Sequence, residues 1–440
     1  MLGLSGESET VDSSYQSDMG YISEHMCAVM TLPGTGEASL SDTSCIDNML
    51  EALPNLKWVG VVVSWFINST NISTATIKPG IEKTADECKD AWRVGEYNRT
   101  NAYEIHRSKP TDSATVRYGG TTPDSDVLSF VTALQEKGVK AVFYPFLMVD
   151  NAGKDWRGQV TGSAEDVSNF YLNQYKPFVE HYARLLKDTV DMFYLGSELE
   201  GLTSIKGADL NFPFVDGLVD LASNVNAILK DTALISYAAN WSEYHSCKGG
   251  YRPLDALWVN KCINFVGIDY YMPLTDSKED LTKDQIKAGF TSGEGFEYYL
   301  DGDKPVEFNN KNDRWKDLKH WHSSRHEAWD PEARESYKTA WVPESKPIIF
   351  SEFGFRSIEF ATNTPSSYGD VVPKHSSGKV DFPVQMRAIR ATLEHIKENE
   401  GVAMGFCYGW DTRNPTWNKH CADGDQWEKG HWISGKIKKR

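Results

Sequence analysis

The chain has 440 residues, with 46 Lys and Arg against 62 Asp and Glu, giving a formal charge of −16. A nucleic-acid binder needs a basic footprint to release phosphate counterions, and this balance argues against that class; the one basic cluster is the terminal Lys436, Lys438, Lys439 and Arg440. The longest apolar run, Trp58 to Phe66, falls far short of the roughly 20 residues a membrane helix needs, so no span is expected.

Residues 1–22 are polar and rich in Ser, Asp and Glu, which predicts a tail. They show neither a basic n-region nor an apolar h-region. Seven cysteines without CxxC spacing favour free thiols. Together these predict a chain made in the cytoplasm without a secretory signal. From residue 23 to 432 an alternation of strand and helix sets in. Cys27–Met30 reads as a strand, followed by a turn at Pro33–Gly36 and a helix over Cys45–Leu53. Trp58–Trp65 is a continuous apolar run, the mark of a strand covered on both faces. A long connection spans about 67–120. The next helix has Thr122 as N-cap, Pro123 at N1, an apolar face of Val127, Leu128, Val131 and Leu134, and Gly138 as its stop. Strands over Val139–Met148, Met192–Gly196, Leu234–Asn240, Ile263–Tyr271, Pro347–Phe353 and Val402–Trp410 follow. Helices over Pro177–Lys187, Phe214–Leu229 and Val384–Ile396 lie between them. A second long connection spans about 272–346. Residues 433–440 form a basic tail.

Eight apolar strands, mostly separated by helices, predict an α/β fold of the (β/α)8 TIM-barrel class, with the two long connections as insertions on its C-terminal face. A doubly wound open sheet is the alternative. It usually carries a Gly-rich phosphate turn, and Pro33–Gly36 has neither the P-loop ending nor the dinucleotide fingerprint.

Two strand ends carry the chemistry. One reads Leu195-Gly196-Ser197-Glu198, the other Phe350-Ser351-Glu352-Phe353. Strand alternation would put Tyr194, Gly196 and Glu198 on one face, and Ile348, Phe350 and Glu352 on another. A carboxylate ending an apolar strand at the barrel mouth reads as catalytic, and a pair of them suits glycoside hydrolysis: one acid to protonate the leaving oxygen, one carboxylate to attack. The competing reading is a structural ion pair with an Arg or Lys inserted into the mouth. Asp150 and Asp411, also at strand ends, are candidate rim or substrate contacts. The 14 Trp, 20 Tyr and 19 Phe supply flat faces for sugars as well as core; Trp241, Trp410 and the Trp315/Trp321 loop fall at or beyond strand ends, whereas Trp65 reads as core. His320, His322 and His326 match no metal spacing, and neither a metal nor a cofactor is expected.

Ser197-Glu198 on strand four and Glu352 on strand seven resemble the retaining (β/α)8 glycosidases of the "4/7" superfamily. The resemblance implies Glu198 as acid/base and Glu352 as nucleophile, with Tyr271 (or Tyr270) orienting the nucleophile and Trp410 flooring the sugar site. The usual strand-four pattern is Asn-Glu; here Ser197 replaces the Asn. Asn240 and Ser197 join Trp241 as substrate-side candidates. A closer resemblance rests on Val62-Val63-Ser64-Trp65-Phe66, Phe143-Tyr144-Pro145-Phe146, Trp156-Arg157-Gly158, Gly196-Ser197-Glu198-Leu199, Trp241-Ser242-Glu243-Tyr244, Gly267 through Leu274, and Thr339 through Pro347. These phrases are similar to the TIM-barrel domain of gene transfer agent and phage-tail baseplate hub proteins. That resemblance implies a module acting on, or gripping, bacterial envelope glycan. It also implies tail or baseplate proteins as partners and assembly into a phage-tail-like particle. A non-catalytic structural or glycan-binding module on the same barrel is the alternative.

Overall fold

The computed structural model describes residues 27–31, 44–105, 120–150, 155–208, 210–247, 249–330, 333–368, 371–399 and 401–411. The expected tails at 1–22 and 433–440 and the Pro33–Gly36 turn lie outside them. Eight parallel strands form a closed ring: β1 (Cys27–Thr31), β2 (Trp58–Ile67), β3 (Lys140–Val149), β4 (Met192–Ser197), β5 (Leu234–Asn240), β6 (Val266–Tyr270), β7 (Ile348–Phe353) and β8 (Val402–Asp411). Each pairs with its sequence neighbour, and β1 pairs with β8 on one edge and β2 on the other, so the sheet has no free parallel edge. The fold is the expected TIM barrel.

The helices lie outside the ring: α1 (Ser44–Ala52), α2 (Asp124–Glu136), α3 (Ala164–Phe170), α4 (Lys176–Leu185), α5 (Pro213–Leu229) and α6 (Phe382–Glu398) among them. α2 starts one residue later than its sequence signals suggest. Pro123 takes the N-cap place with no side-chain cap, and Asp124 and Asp126 face the positive helix end instead. Its buried face is Val127, Phe130, Val131 and Leu134; Leu128 is exposed. The helix expected from Pro177 begins earlier, at Ala164, capped by Ser163. A wide π-turn at Tyr171–Tyr175 joins α3 to α4. Pro177 lacks the N–H that an ordinary α-turn would use there, and the wider turn lets the helix run through it.

Two hydrophobic layers result. A large cluster packs the helices on the outer face of the ring. A smaller one, with Val62, Val142, Tyr144, Met192, Tyr194, Ala238, Ile349 and Phe406, comes from the inward positions of six strands and fills the lumen. Strict alternation fails at the two carboxylate-bearing strands. On β4, Tyr194 lies opposite Ser236 but Ser197 lies opposite Ala238, so β4 carries one extra residue. On β7, Phe350 lies opposite Ile268 and Glu352 opposite Asp269, again one extra. Each is a β-bulge that resets the phase of the strand tip. Thus Tyr194 and Ile349 belong to the lumen, Phe350 stacks on Tyr270 in the outer layer at 4.4 Å, and the expected shared faces do not hold. At the β4 bulge the Leu195 carbonyl accepts a hydrogen bond from the Tyr175 hydroxyl at 2.8 Å.

Both long connections leave from strand C-termini. The first, 68–123, adds Ile77–Lys78 antiparallel to the end of β2. The second, 271–347, holds hairpins at Tyr298–Glu307 and Glu327–Lys338 and a short helix, Leu318–Ser323.

Gly267 on β6 lies under the site. A Cβ there would stand 2.4 Å from the Tyr237 carbonyl oxygen and 3.2 Å from the Tyr194 ring. Backbone cannot yield as a side-chain end can. Gly267→Ala should therefore cost about 1–3 kcal/mol, read as a lower urea midpoint at unchanged slope; a wild-type midpoint would show that the ring relaxes there.

Candidate active site at the barrel mouth

β4 ends in an abrupt turn. The Glu198 N–H still donates to the Ala238 carbonyl at 2.8 Å, but its φ is +53°, in the left-handed region that side chains avoid. Such backbone costs about 1–2 kcal/mol and persists only where neighbours impose it. Here the next N–H, of Leu199, donates to the Tyr237 hydroxyl at 2.7 Å. Tyr237 donates in turn to Glu243 at 2.8 Å, which also accepts from Thr203 (2.6 Å) and from the Asn240 backbone (3.0 Å). Burial pushes the Glu243 carboxyl up to about 8 even with these donors around it. Asn240 then donates from its side chain to Glu198 Oε1 at 2.7 Å.

The other oxygen of Glu198 accepts from Arg157, in an ion pair whose side chains are each 11% exposed. Arg157 is fixed from several sides. It donates to the Ser197 carbonyl (3.0 Å) and hydroxyl (3.1 Å) and lies 4.2 Å over the Phe146 ring. Burial works against its charge, but Glu198, then Glu352, outweigh that and raise its pKa. This is the inserted-arginine contact of the competing reading, at one of the two carboxylates.

Glu352 is buried at the tip of β7. Its Oε2 accepts from the Tyr271 hydroxyl at 2.7 Å, and its Oε1 is buried with no hydrogen-bond partner among the described residues. Burial, then Asp269 and Glu198, hold its carboxyl well above the usual range, while Arg157 and Tyr271 pull the other way. Burial, then Glu352, push the Tyr271 phenol up. Asp269, on β6 and with no exposed surface, completes the cluster. Burial and Glu198 push it up to about 7. Three carboxyls and one guanidinium thus share a small volume that cannot hold all three negative charges. Such a site keeps a proton among its acids at neutral pH, the condition for one acid and one base to coexist.

Of the residues singled out from sequence, Glu198, Ser197, Asn240, Glu352 and Tyr271 come together here. Trp241, next to Asn240, is half-buried and tilts against Trp315 of the second insertion at 5.2 Å. Trp321 is buried against Trp341 and His326, so it offers no face to a sugar; the expectation for it is corrected. Trp65 is buried, stacked on Phe178. Asp150 is buried beside the first insertion, where its carbonyl accepts from Tyr103 at 3.0 Å. Trp410 and Asp411 close β8 through their backbone; their side chains lie outside the described residues. The histidines serve packing: His326 pairs with Asp255 at 2.9 Å, His320 with Asn312, and His322 with the Lys346 carbonyl.

Sequence reasoning did not assign roles to Arg157, Tyr237, Glu243 or Asp269. A signal exists for Asp269, an acid inside the run Val266-Gly267-Ile268-Asp269-Tyr270, since a buried acid needs partners. Arg157 opens a short 3-10 turn, Arg157–Gln159, and carries no such signal.

The GTA TIM-barrel-like domain family matches residues 173–416, more than half of the chain. No curated protein matches the sequence. Among solved structures, a GH113 β-1,4-mannanase is similar at 11% identity and a TM-score of 0.53, over 95% of this chain and 100% of its own. The GH113 β-mannanase AaManA from Alicyclobacillus acidocaldarius is similar at 13% identity and 0.52, over 94% of this chain and 93% of its own. At such identities the likeness concerns the fold.

Tyr237→Phe removes a hydroxyl that joins the Leu199 N–H to Glu243, leaving a buried donor without its acceptor. The expected loss of stability is about 1–3 kcal/mol in urea unfolding. A change below a few tenths would mean that water or a shifted side chain takes the place of the hydroxyl.

Proposed function

Because the chain belongs to the GTA TIM-barrel-like domain family, we propose that its barrel mouth is a carbohydrate site, and that it works as a retaining O-glycosyl hydrolase on bacterial envelope glycan within a phage-tail-like or gene transfer agent baseplate. One observation carries this reading. Two buried carboxyls from the tips of β4 and β7 face a common charge cluster, and one of them, Glu352, has an oxygen with no partner among the described residues while Tyr271 holds the other. An unpartnered buried carboxylate oxygen is costly without a role, and attack on an anomeric carbon is such a role.

The roles follow. As sugar enters, the proton that burial favours on Glu352 passes to Glu198; Glu352, now ionised, attacks the anomeric carbon, and the glycosidic bond breaks as Glu198 gives that proton to the departing oxygen. Glu198 then takes a proton from a water, whose oxygen displaces Glu352 and releases the sugar. Tyr271 donates to Glu352 and holds it in line. Asn240 and Ser197 border the acid, and the half-buried Trp241 and Trp315 supply apolar surface for a sugar ring beside it.

A specific observation favours a second reading. Glu198 accepts from Arg157 on one oxygen and from Asn240 on the other. A carboxylate occupied in this way has no oxygen from which to give a proton. A barrel kept in that state would grip glycan without cutting it, as a binding module of the baseplate. The first reading requires Arg157 or Asn240 to release Glu198 when sugar enters.

The test is a panel of envelope glycans and aryl glycosides with the wild type, Glu198→Gln and Glu352→Gln. Hydrolysis with retained anomeric configuration, lowered about 10²–10⁴-fold in each variant, is expected. Activity equal to wild type in either variant removes that residue from its role. Binding by calorimetry without turnover on any substrate selects the second reading. Under both readings, Trp241→Ala should weaken glycan affinity about tenfold, and unchanged affinity would take Trp241 out of the sugar site.

A further inference from the structure

The two strand tips share a dipeptide: Ser197 precedes Glu198, and Ser351 precedes Glu352. Both serines reach the same carboxyl. Ser351 Oγ donates to Asp269 Oδ1 at 2.7 Å, and Ser197 Oγ donates to Oδ2 at 3.3 Å. Tyr144 from β3 donates to Oδ1 at 2.7 Å. Ser197 Oγ also accepts from Arg157, so one hydroxyl links the guanidinium to the carboxyl. All three of Ser197, Asp269 and Ser351 are buried, the last two with no exposed surface. The bulge on β7 is what brings this about. It falls where Ile268–Asp269 of β6 meets Phe350–Glu352, and it lets Ser351 reach Asp269 while Glu352 sits opposite it in register.

We infer that Asp269 is the positioning residue of this site: through Ser197 and Ser351 it ties both Ser-Glu tips to one buried carboxyl, and so sets their spacing and shares their charge. Its catalytic consequence rests on the hydrolase reading; the tie itself does not. The groups that face Asp269 are Glu198 from β4, Glu352 from β7, Tyr144 from β3, Tyr271 beyond β6, and Arg157 from the loop after β3. Burial and Glu198 raise its carboxyl to about 7, and the Ser351 and Tyr144 hydrogen bonds and Arg157 oppose the rise.

The folded carboxyl holds its proton up to about pH 7, whereas an unfolded aspartate loses it near 3.8. Unfolding therefore releases a proton between these values, and stability falls as pH rises through that window. One proton over about three pH units changes the folding constant about a thousandfold.

The experiment compares wild type, Asp269→Asn and Ser351→Ala. Folding constants are taken from urea unfolding between pH 4 and 8, and kcat and KM from the best substrate of the panel. Asp269→Asn should lose most of that thousandfold pH dependence relative to wild type. With the acceptor for Ser197 lost, since an amide nitrogen cannot accept its hydroxyl, it should also lower kcat about 10²-fold with little change in KM. Its pH–rate limb set by Glu352 should move to lower pH, because a neighbouring negative charge is gone. Ser351→Ala keeps the carboxyl but removes a donor, so its window of falling stability should extend above pH 7. If Asp269→Asn does not fold, Ser351→Ala carries the test alone. Stability profiles for both variants that match wild type across pH 4–8 would overturn the inference. If the wild type hydrolyses nothing, the hydrolase reading fails, and the stability profiles still decide whether the tie exists.

Discussion

Closure of the ring is the constraint on which everything else depends. All five residues of β1 pair with β8 and four of them with β2, and that double pairing turns an open parallel sheet into a barrel. Once closed, all eight strand ends face one mouth. Residues as far apart in the chain as Arg157, Glu198, Asp269 and Glu352 then lie within reach of each other. The bulges on β4 and β7 act within that frame. Each adds one residue just below the tip, so that both a serine and the glutamate after it serve the mouth.

The mouth is built around a charge conflict. Three carboxyls stand in a buried volume, and among the described residues the cation acting on them is Arg157. A buried ion pair gains little over its desolvation cost unless further hydrogen bonds complete it. Arg157 has these from Ser197 and has the Phe146 ring beneath it. The same conflict holds protons on the remaining acids and leaves one oxygen of Glu352 bare. Below it, Glu243 and Tyr237 hold the strained Glu198 turn, so the charge cluster and the backbone strain are met by one continuous hydrogen-bond network.

The aromatic surplus divides in two. Most of it is core: Trp65, Trp258, Trp321 and Trp341 are buried. Several contacts hold the second insertion to the barrel. Tyr244 donates to the Trp315 carbonyl, Lys316 donates to Pro273 at 2.9 Å, and the His326–Asp255 pair is stacked under Trp341. Among the described residues, the half-buried Trp241–Trp315 pair lies near the mouth, in a place where a ring-binding surface would be useful.

The amino-acid order alone determined the eight strands, because each is a continuous apolar run between polar punctuation, and it marked the two glutamates because each ends such a run. Asn240 was legible as the end of a strand, and Tyr271 through the resemblance to the 4/7 glycosidases, whose strand-six tyrosine it matches. Tertiary structure decided the rest. Alternation from Tyr194 or Phe350 mispredicts the facing of the tips, since a bulge is set by the neighbouring strand's register and leaves no local trace in sequence. Trp321 was indistinguishable from Trp315 until the insertion folded over it. Arg157 on Glu198, and Asp269 between Ser197 and Ser351, join residues 41, 72 and 82 positions apart. Periodicity reports which way a residue points on its own element; which charge it meets there is settled only when the ring closes.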